Sequence, residues 1–286
     1  MDTLLKSYER DLALKGFSPK TQKTYYRNLV WFLNHTQLDP HDITRETIKD
    51  YLYYLIRDKK LSESSLRQAR CAIQYFFSQT LAKPVEVANI PALKKSKKLP
   101  TVLSVNETAQ IISSAHNIKH KTMLMLAYSS GLRVGELVNL KITDIHRNTM
   151  RISVRQAKGR KDRYVILSSV CLAQLEKYWK AYRPAEWLFY GYRENQPISI
   201  RAVQHAYEDA KKRAGIARGR GIHTLRHSFA THMLESGSGI FQLQKFLGHR
   251  HLKTTLVYAH ISEENIIARS PLDVYADKFT DESSNA

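Results

Sequence analysis

The feature that most constrains this chain is an interruption in its first third. Between Ala82 and Pro100 the helical spacing of apolar residues lapses, prolines stand at positions 84, 91 and 100, and Lys94, Lys95, Lys97 and Lys98 crowd one short run. A stretch of that composition has no face to bury and is cut repeatedly by a residue that cannot extend a helix, so it reads as an exposed basic linker over 84–101. The rest of the chain must fold on one side of it or the other. Its 286 residues have room for about two ordinary domains, and the linker divides them into 1–83 and 102–260, with a tail over 261–286.

Upstream, apolar residues recur at helical spacing between start and stop signals. Leu5, Tyr8 and Leu12 form a stripe that ends at Gly16, and Ser18 and Pro19 then supply an N-cap and a first-turn proline for a second helix carrying Tyr25, Leu29, Phe32 and Leu33. Thr44 can cap a third, with Ile48, Leu52, Leu55 and Ile56 inward. After a polar break at Lys59–Ser62, a fourth runs through Leu66, Ala69, Ile73 and Phe77. The pattern predicts a small four-helix domain. Downstream, Ser104 and Glu107 sit at capping-box spacing and open an α-rich second domain. Its β signal is local. Met150, Ile152 and Val154 alternate with polar residues, 156–161 reads as a turn, and Tyr164 to Leu167 returns as the second strand of a hairpin. Helices resume through Cys171, Leu175 and Tyr178, and again from Ser199 to Arg213.

Charge bounds the partners. Lys and Arg number 45 against 26 Asp and Glu, a net charge of +19, which predicts a polyanionic partner. Lys20, Lys23 and Arg27 fall on one face of the second predicted helix, and Arg67 and Arg70 on the fourth. With Lys94, Lys95, Lys97 and Lys98 they are the candidate contacts to nucleic acid, although a solvated face explains either helical patch equally well. Fifteen extended linker residues reach roughly 50 Å, beyond the ~34 Å turn of duplex DNA, so two domains joined this way can grip opposite faces of one double helix. Cys71 and Cys171 form no disulfide framework or Cys-rich zinc module and fit a reducing compartment. The charged N-terminus is no signal peptide, and no apolar run is long enough to span a membrane. A cytoplasmic, nucleoid-associated protein without a membrane partner is expected.

Three stretches of the second domain hold more reactive polar groups than a core or an ordinary surface needs. In Gly131–Leu137 a glycine stop leaves Arg133 at the start of a short helix, where a cation opposes the helix dipole unless an anion shares the site; pairing with Glu136 three residues on is the ordinary alternative. In the run from His223 to His232, positions 223, 226 and 227 fall within one helical turn, so His223, Arg226 and His227 face one volume. Zinc binding by the two histidines is disfavoured there by the adjacent arginine. In the third stretch Gly248 ends a helix containing Leu243 and Phe246, and Leu252, Thr255 and Leu256 rebuild a stripe that carries Tyr258 on a new short helix.

In this order and spacing, Gly-Leu-Arg at 131–133, His-x-x-Arg-His at 223–227, Leu-Gly-His at 247–249 and a tyrosine nine positions after His249 resemble the signature boxes of the tyrosine site-specific recombinase (phage integrase) family. The N-terminal helices resemble that family's core-binding domain, so the resemblance runs from about Leu4 to Tyr258. It implies a mainly α fold, with a four-helix SAM-like core-binding domain and an α-rich catalytic domain bearing a small β-hairpin. It makes Arg133 and Arg226 the phosphate-clamping arginines, His223 and His249 the active-site histidines and Tyr258 the nucleophile, with Glu136 behind Arg133 to orient it. Lys158 falls where the family carries its hairpin lysine, although Arg160 and Lys161 stand close enough in the turn to leave that assignment open.

The residue types suit the chemistry. Two planar guanidiniums hold the oxygens of a phosphodiester as charge spreads over them, with no metal and no other cofactor required. A phenol near pKa 10 needs neighbouring positive charge and a proton acceptor, for which His223 is placed; the leaving 5′ oxygen needs an acid, the hairpin lysine; and His249 would donate to a non-bridging oxygen. The 3′-phosphotyrosyl bond keeps the energy of the broken diester, so rejoining requires no ATP, and no Walker motif occurs. The resemblance further implies duplex DNA with inverted half-sites, a homotetramer on synapsed DNA, room for accessory DNA-bending proteins, and a tail that couples neighbouring subunits. Two rivals share the features: a type IB topoisomerase, which relaxes one strand without partner subunits, and a non-catalytic DNA-binding protein, which would form no covalent species.

Overall fold

In the computed structural model, residues 2–84, 90, 99–155 and 162–262 are described. The chain divides into two compact units, Met1–Lys97 and Lys98–Ala286.

The first unit is helical: α1 (Asp2–Leu14), α2 (Pro19–Thr36), α3 (Arg45–Arg57) and α4 (Glu63–Tyr75). Local chemistry fixes each start. Ser18, Thr44 and Ser62 are extended N-caps whose hydroxyls accept from Thr21, Thr47 and Ser65 backbone N–H groups, satisfying donors that a helix leaves orphaned. The apolar stripes meet in one core containing Tyr8, Leu12, Leu29, Phe32, Ile48, Leu55, Leu66 and Ile73. The buried Tyr8 hydroxyl donates to the carbonyl of Ala72 at 3.0 Å, so its burial leaves no polar group unpaired. Two expectations fail at the edges. Ile56, expected inward, is 45% exposed, and Tyr51 takes the inward place instead, because the large ring fills the space against Phe32 at 5.0 Å. Past α4 the chain widens into a π-turn over Phe76–Thr80; the wider turn lets two adjacent phenylalanines, Phe76 and Phe77, both be fully buried.

The second unit carries α5 (Val105–Ser113), α6 (Ile118–Ser129) and the short α7 (Val134–Val138), then strands β1 (Ile145–His146), β2 (Arg151–Val154) and β3 (Arg163–Ile166). Helices α8 (Ser169–Tyr182), α9 (Ile200–Arg213), α10 (His223–Glu235), α11 (Ile240–Leu247) and α12 (Leu252–Ser262) follow. The Ser104 capping box forms as expected. The hairpin is antiparallel, with Ile152 opposite Val165 and Val154 opposite Arg163; β2 begins at Arg151 because Met150 turns with φ 50°. β1 adds a third strand, in the order β1-β2-β3, which two residues were too short to signal in the sequence. Among the described residues no helix is long and apolar enough to cross a membrane.

Candidate active site

The site grows from two helix ends and one strand. Gly131 makes the turn out of α6 with φ +59°, and a Cβ there would stand 2.3 Å from the ring of Phe229, so only glycine fits. The turn delivers Arg133 to the N-cap of α7. The cation that opposed the helix dipole is answered by Glu136, whose Oε2 accepts from the Arg133 backbone N–H at 2.8 Å while Oε1 accepts from its Nη1 at 2.8 Å. Both the orienting role expected of Glu136 and the plain pairing with Arg133 describe this contact.

At the other end, α11 stops at Gly248, which has φ +60° and leaves the last carbonyls of the helix without intrahelical partners. Two guanidiniums take them. Arg226, on the first turn of α10, donates from Nη2 to the carbonyl of Leu247 and from Nη1 to that of Gly131, both at 2.6 Å. Arg163, on β3, donates from Nε to the carbonyl of Phe246 at 2.9 Å. Cations at a helix C-terminus also match its dipole. Arg226 is 4% exposed; burial, with Arg133 nearby, pulls it down to about 9, which still leaves it cationic at pH 7.

Three guanidiniums thus surround one carboxylate. Arg133 and Arg163 contact Glu136 directly at 2.8 Å and Arg226 stands at 3.8 Å. Burial raises the carboxyl's pKa, but the hydrogen bonds and charge of Arg163 and then Arg133 outweigh it and hold Glu136 at about 2. Among the described side chains the cluster keeps two uncompensated positive charges, an arrangement that favours a bound anion.

His249 follows directly on Gly248. Its Nε2 lies 3.3 Å from Arg226 Nη2 and its Nδ1 3.0 Å from Thr255 Oγ1. An arginine only donates, so Nε2 accepts and Nδ1–H points to Thr255; His249 can donate to a phosphate oxygen only after taking up a proton at Nε2. Burial, then Arg226, Arg133, Arg163 and His227, push it down to about 4. Tyr258, 5% exposed, packs with Phe229, Leu234, Leu243 and Leu247, and its ring stacks on His249 with 13° between planes. Burial raises the phenol's pKa, opposed by Arg226 and Arg133.

The imidazole on that phenol is not the expected one. His227 Nδ1 stands 2.9 Å from Tyr258 Oη, and burial, then His223 and Arg226, push His227 down to about 4, so it is neutral and able to accept. His223 occupies the first position of α10, on the exposed side; partial desolvation of its ring, then the charges of Arg226 and Arg133, lower its pKa. The imidazole within hydrogen-bond reach of the phenol is thus that of His227, one turn along α10 from the expected His223. Leu256, expected inward on α12, is 39% exposed, and the inward positions are Thr255 and Tyr258. Among the described residues no three His, Cys, Asp or Glu side chains converge as a metal site.

Arg163 has no part in the sequence expectations, and Thr255 enters them only as a residue of the apolar stripe before Tyr258. Arg163 had a signal: two residues before Val165 in β3, it shares that residue's inward face, and a charge at a core-facing strand position calls for a partner. Lys158, Arg160 and Lys161 lie outside the described residues, as do Lys94, Lys95, Lys97 and Lys98 and the tail beyond 262. Lys20, Lys23 and Arg27 are exposed on α2, with Arg27 over the ring of Trp31 at 4.9 Å. Arg67 is half-buried. Arg70, expected beside it on a basic face, instead turns inward and donates to the carbonyl of Ile90 at 2.8 Å.

One helical unit thus gathers three guanidiniums and two imidazoles around a single carboxylate and a buried tyrosine. Residues 101–265 match the Phage integrase family, and residues 4–87 match the Phage integrase N-terminal SAM-like domain. The y4qK protein of Sinorhizobium fredii is 39% identical over 94% of this chain and 88% of its own length. Tyrosine recombinase XerA of Pyrococcus horikoshii is 34% identical over 92% of this chain and 90% of that protein. The fold is shared with a crystal structure of a lambda integrase(75-356) dimer bound to a COC′ core site, at a TM-score of 0.74 and 24% identity over 89% of this chain and 96% of that one. The chain belongs to the phage integrase family and is a tyrosine site-specific recombinase.

Proposed function

We propose that this recombinase cuts and rejoins duplex DNA through a 3′-phosphotyrosyl intermediate on Tyr258, without metal or ATP. One observation carries the reading: a buried phenol hydrogen-bonded to a neutral imidazole beside three guanidiniums that share a single carboxylate. Tyr258 Oη attacks the scissile phosphorus, its proton passing to His227, while Arg133 and Arg226 hold the non-bridging oxygens as charge accumulates on them. The incoming negative charge favours a proton on His249, which then donates to the same oxygens. The P–O5′ bond breaks, and the 5′ oxygen takes a proton from the hairpin lysine, Lys158 or Lys161. Attack by a 5′-hydroxyl on the phosphotyrosine reverses each transfer and regenerates the phenol.

The basic N-terminal unit, 1–83, supplies backbone contacts through Lys20, Lys23, Arg27 and Arg67, and the linker lysines add to them. One chain supplies one tyrosine and recombination exchanges four strands, so four copies act on two paired sites made of inverted half-sites. The compartment of action is the cytoplasm, where the DNA lies.

A nicked half-site from which the cleaved end diffuses away tests this. The expected result is a protease-sensitive protein–DNA adduct that persists in EDTA without nucleotide and is lost in Y258F with DNA affinity retained. An adduct of normal yield in Y258F would overturn the assignment, and a requirement for metal or ATP would overturn the mechanism.

A further inference from the structure

We infer that Arg163 is a positioning residue for the phosphate clamp, the side chain through which strand β3 sets the pose of both clamping arginines. The inference rests on the reading of Arg133 and Arg226 given under Proposed function and extends it to a residue outside the three stretches on which the resemblance was drawn.

Arg163 reaches two separate elements at once. Its Nη1 and Nη2 donate to the two oxygens of Glu136 at 2.9 and 2.8 Å, in the parallel fork that a guanidinium makes with a carboxylate. Its Nε donates to the carbonyl of Phe246, next to the carbonyl of Leu247 that Arg226 takes. The side chain is 10% exposed, and Gly248 is shaped around it: a Cβ at that glycine would come within 2.9 Å of Arg163 Cδ and 3.0 Å of Nε. Glu136 is thereby gripped from both sides, by Arg133 from α7 and by Arg163 from β3, while the end of α11 that presents His249 is fixed to the same strand.

The electrostatics give this grip a consequence. With Arg163 in place the carboxylate is saturated by its fork, and Arg226 is held back at 3.8 Å on the carbonyls of Gly131 and Leu247. Without it, Glu136 would keep its charge in a buried setting with only Arg133 and Arg226 to answer it, and would draw both out of the phosphate-binding pose. The excess positive charge would fall from two to one. Lysine cannot substitute, because an ammonium is a point donor and cannot make a fork to Glu136 and a bond to Phe246 together.

The test is single-turnover adduct formation on the nicked half-site, read beside half-site affinity and thermal stability, for R163K, R163Q and the double variant E136Q/R163Q. A displaced clamp costs about 10²-fold in rate. R163Q is expected to lose that much while affinity changes less than about threefold, since a clamp misplaced by about an ångström still carries its charge. R163K keeps charge and volume, and is expected to stay folded and to fall about tenfold, because the fork is lost. E136Q/R163Q is expected to recover about tenfold over R163Q, because the unsatisfied carboxylate that captures the arginines is gone. Rates of R163K and R163Q within threefold of the unaltered protein would overturn the inference. So would a double variant no faster than R163Q, with rate, affinity and stability falling together, since that is the mark of a merely structural residue. Failure of the unaltered protein to form any Tyr258-dependent adduct would instead overturn the catalytic reading, and this inference with it.

Discussion

The two units solve opposite problems with the same element. In the N-terminal unit the buried side chains are aliphatic and aromatic, and the one buried polar residue among those described is Asn28. In the catalytic unit Asp144 and Arg226 are buried outright, together with seven buried Ser and Thr side chains, and Glu136 is nearly so, with its side chain 8% exposed. One unit follows the local rules of helix starts, stripes and caps except at its margins. The other breaks several of them, with an arginine at a helix N-cap, a charge on the inner face of a strand and a phenol held beneath an imidazole. Violations of that kind gather where a site must be preorganised, and the surrounding fold has to compensate for them.

Substitutions should therefore read out differently in the two units. Phe32→Ala removes a fully buried ring from the N-terminal core and is expected to cost about 3–5 kcal/mol, seen as a large fall in Tm. Arg226→Lys in the catalytic unit keeps the charge but loses the fork that reaches two carbonyls; it is expected to slow single-turnover cleavage by about 10²-fold or more with a much smaller fall in Tm. The contrast breaks if Arg226→Lys destabilises as much as Phe32→Ala while cleaving at a normal rate.

Acid should separate the units as well. His227 and His249 are held down to about 4, against about 6.5 in an unfolded chain. Between those values the unfolded state binds more protons than the folded one, so stability is full above about pH 6.5 and declines as the pH falls toward about 4, where it levels off. The expected loss is of the order of 1 kcal/mol per histidine after allowance for solvent access. A pH titration of thermal unfolding checks this, and His249→Asn should flatten part of the slope. A catalytic unit equally stable at pH 7 and pH 4.5 would contradict these environments.

The smallest effect belongs to the exposed basic face of α2. Neutralising Lys20, Lys23 and Arg27 together is expected to flatten the log–log salt dependence of DNA binding by roughly one unit of slope for each phosphate that the face no longer neutralises, while leaving single-turnover cleavage at saturating protein unchanged. An unchanged slope would place this face away from DNA.

What the sequence disclosed follows the same division. The four N-terminal helices and their Ser and Thr caps were legible because periodicity and capping act over a few residues, and only the margins slipped, as at Ile56 and at the π-turn through Phe76 and Phe77. In the catalytic unit Arg133, Glu136, Arg226, His249 and Tyr258 were legible as a set and do converge around one volume. The choice between His223 and His227 was not, because both stand on one turn of α10 and only the approach of α12 decides which meets the phenol. Arg163 escaped because its partners, Glu136 and Phe246, lie far along the chain in either direction. Arg70 was misplaced for a related reason: helical spacing cannot show that a carbonyl from the following segment, that of Ile90, waits for its guanidinium.

The most direct measurement is to trap the protein on a nicked half-site, digest the adduct, and identify by mass spectrometry the residue bonded to the DNA and the DNA end that it holds. The predicted result is a single phosphotyrosyl linkage from Tyr258 to a 3′ phosphate, absent from Y258F. A linkage to any other residue, a bond to a 5′ phosphate, or no linkage at all would contradict it.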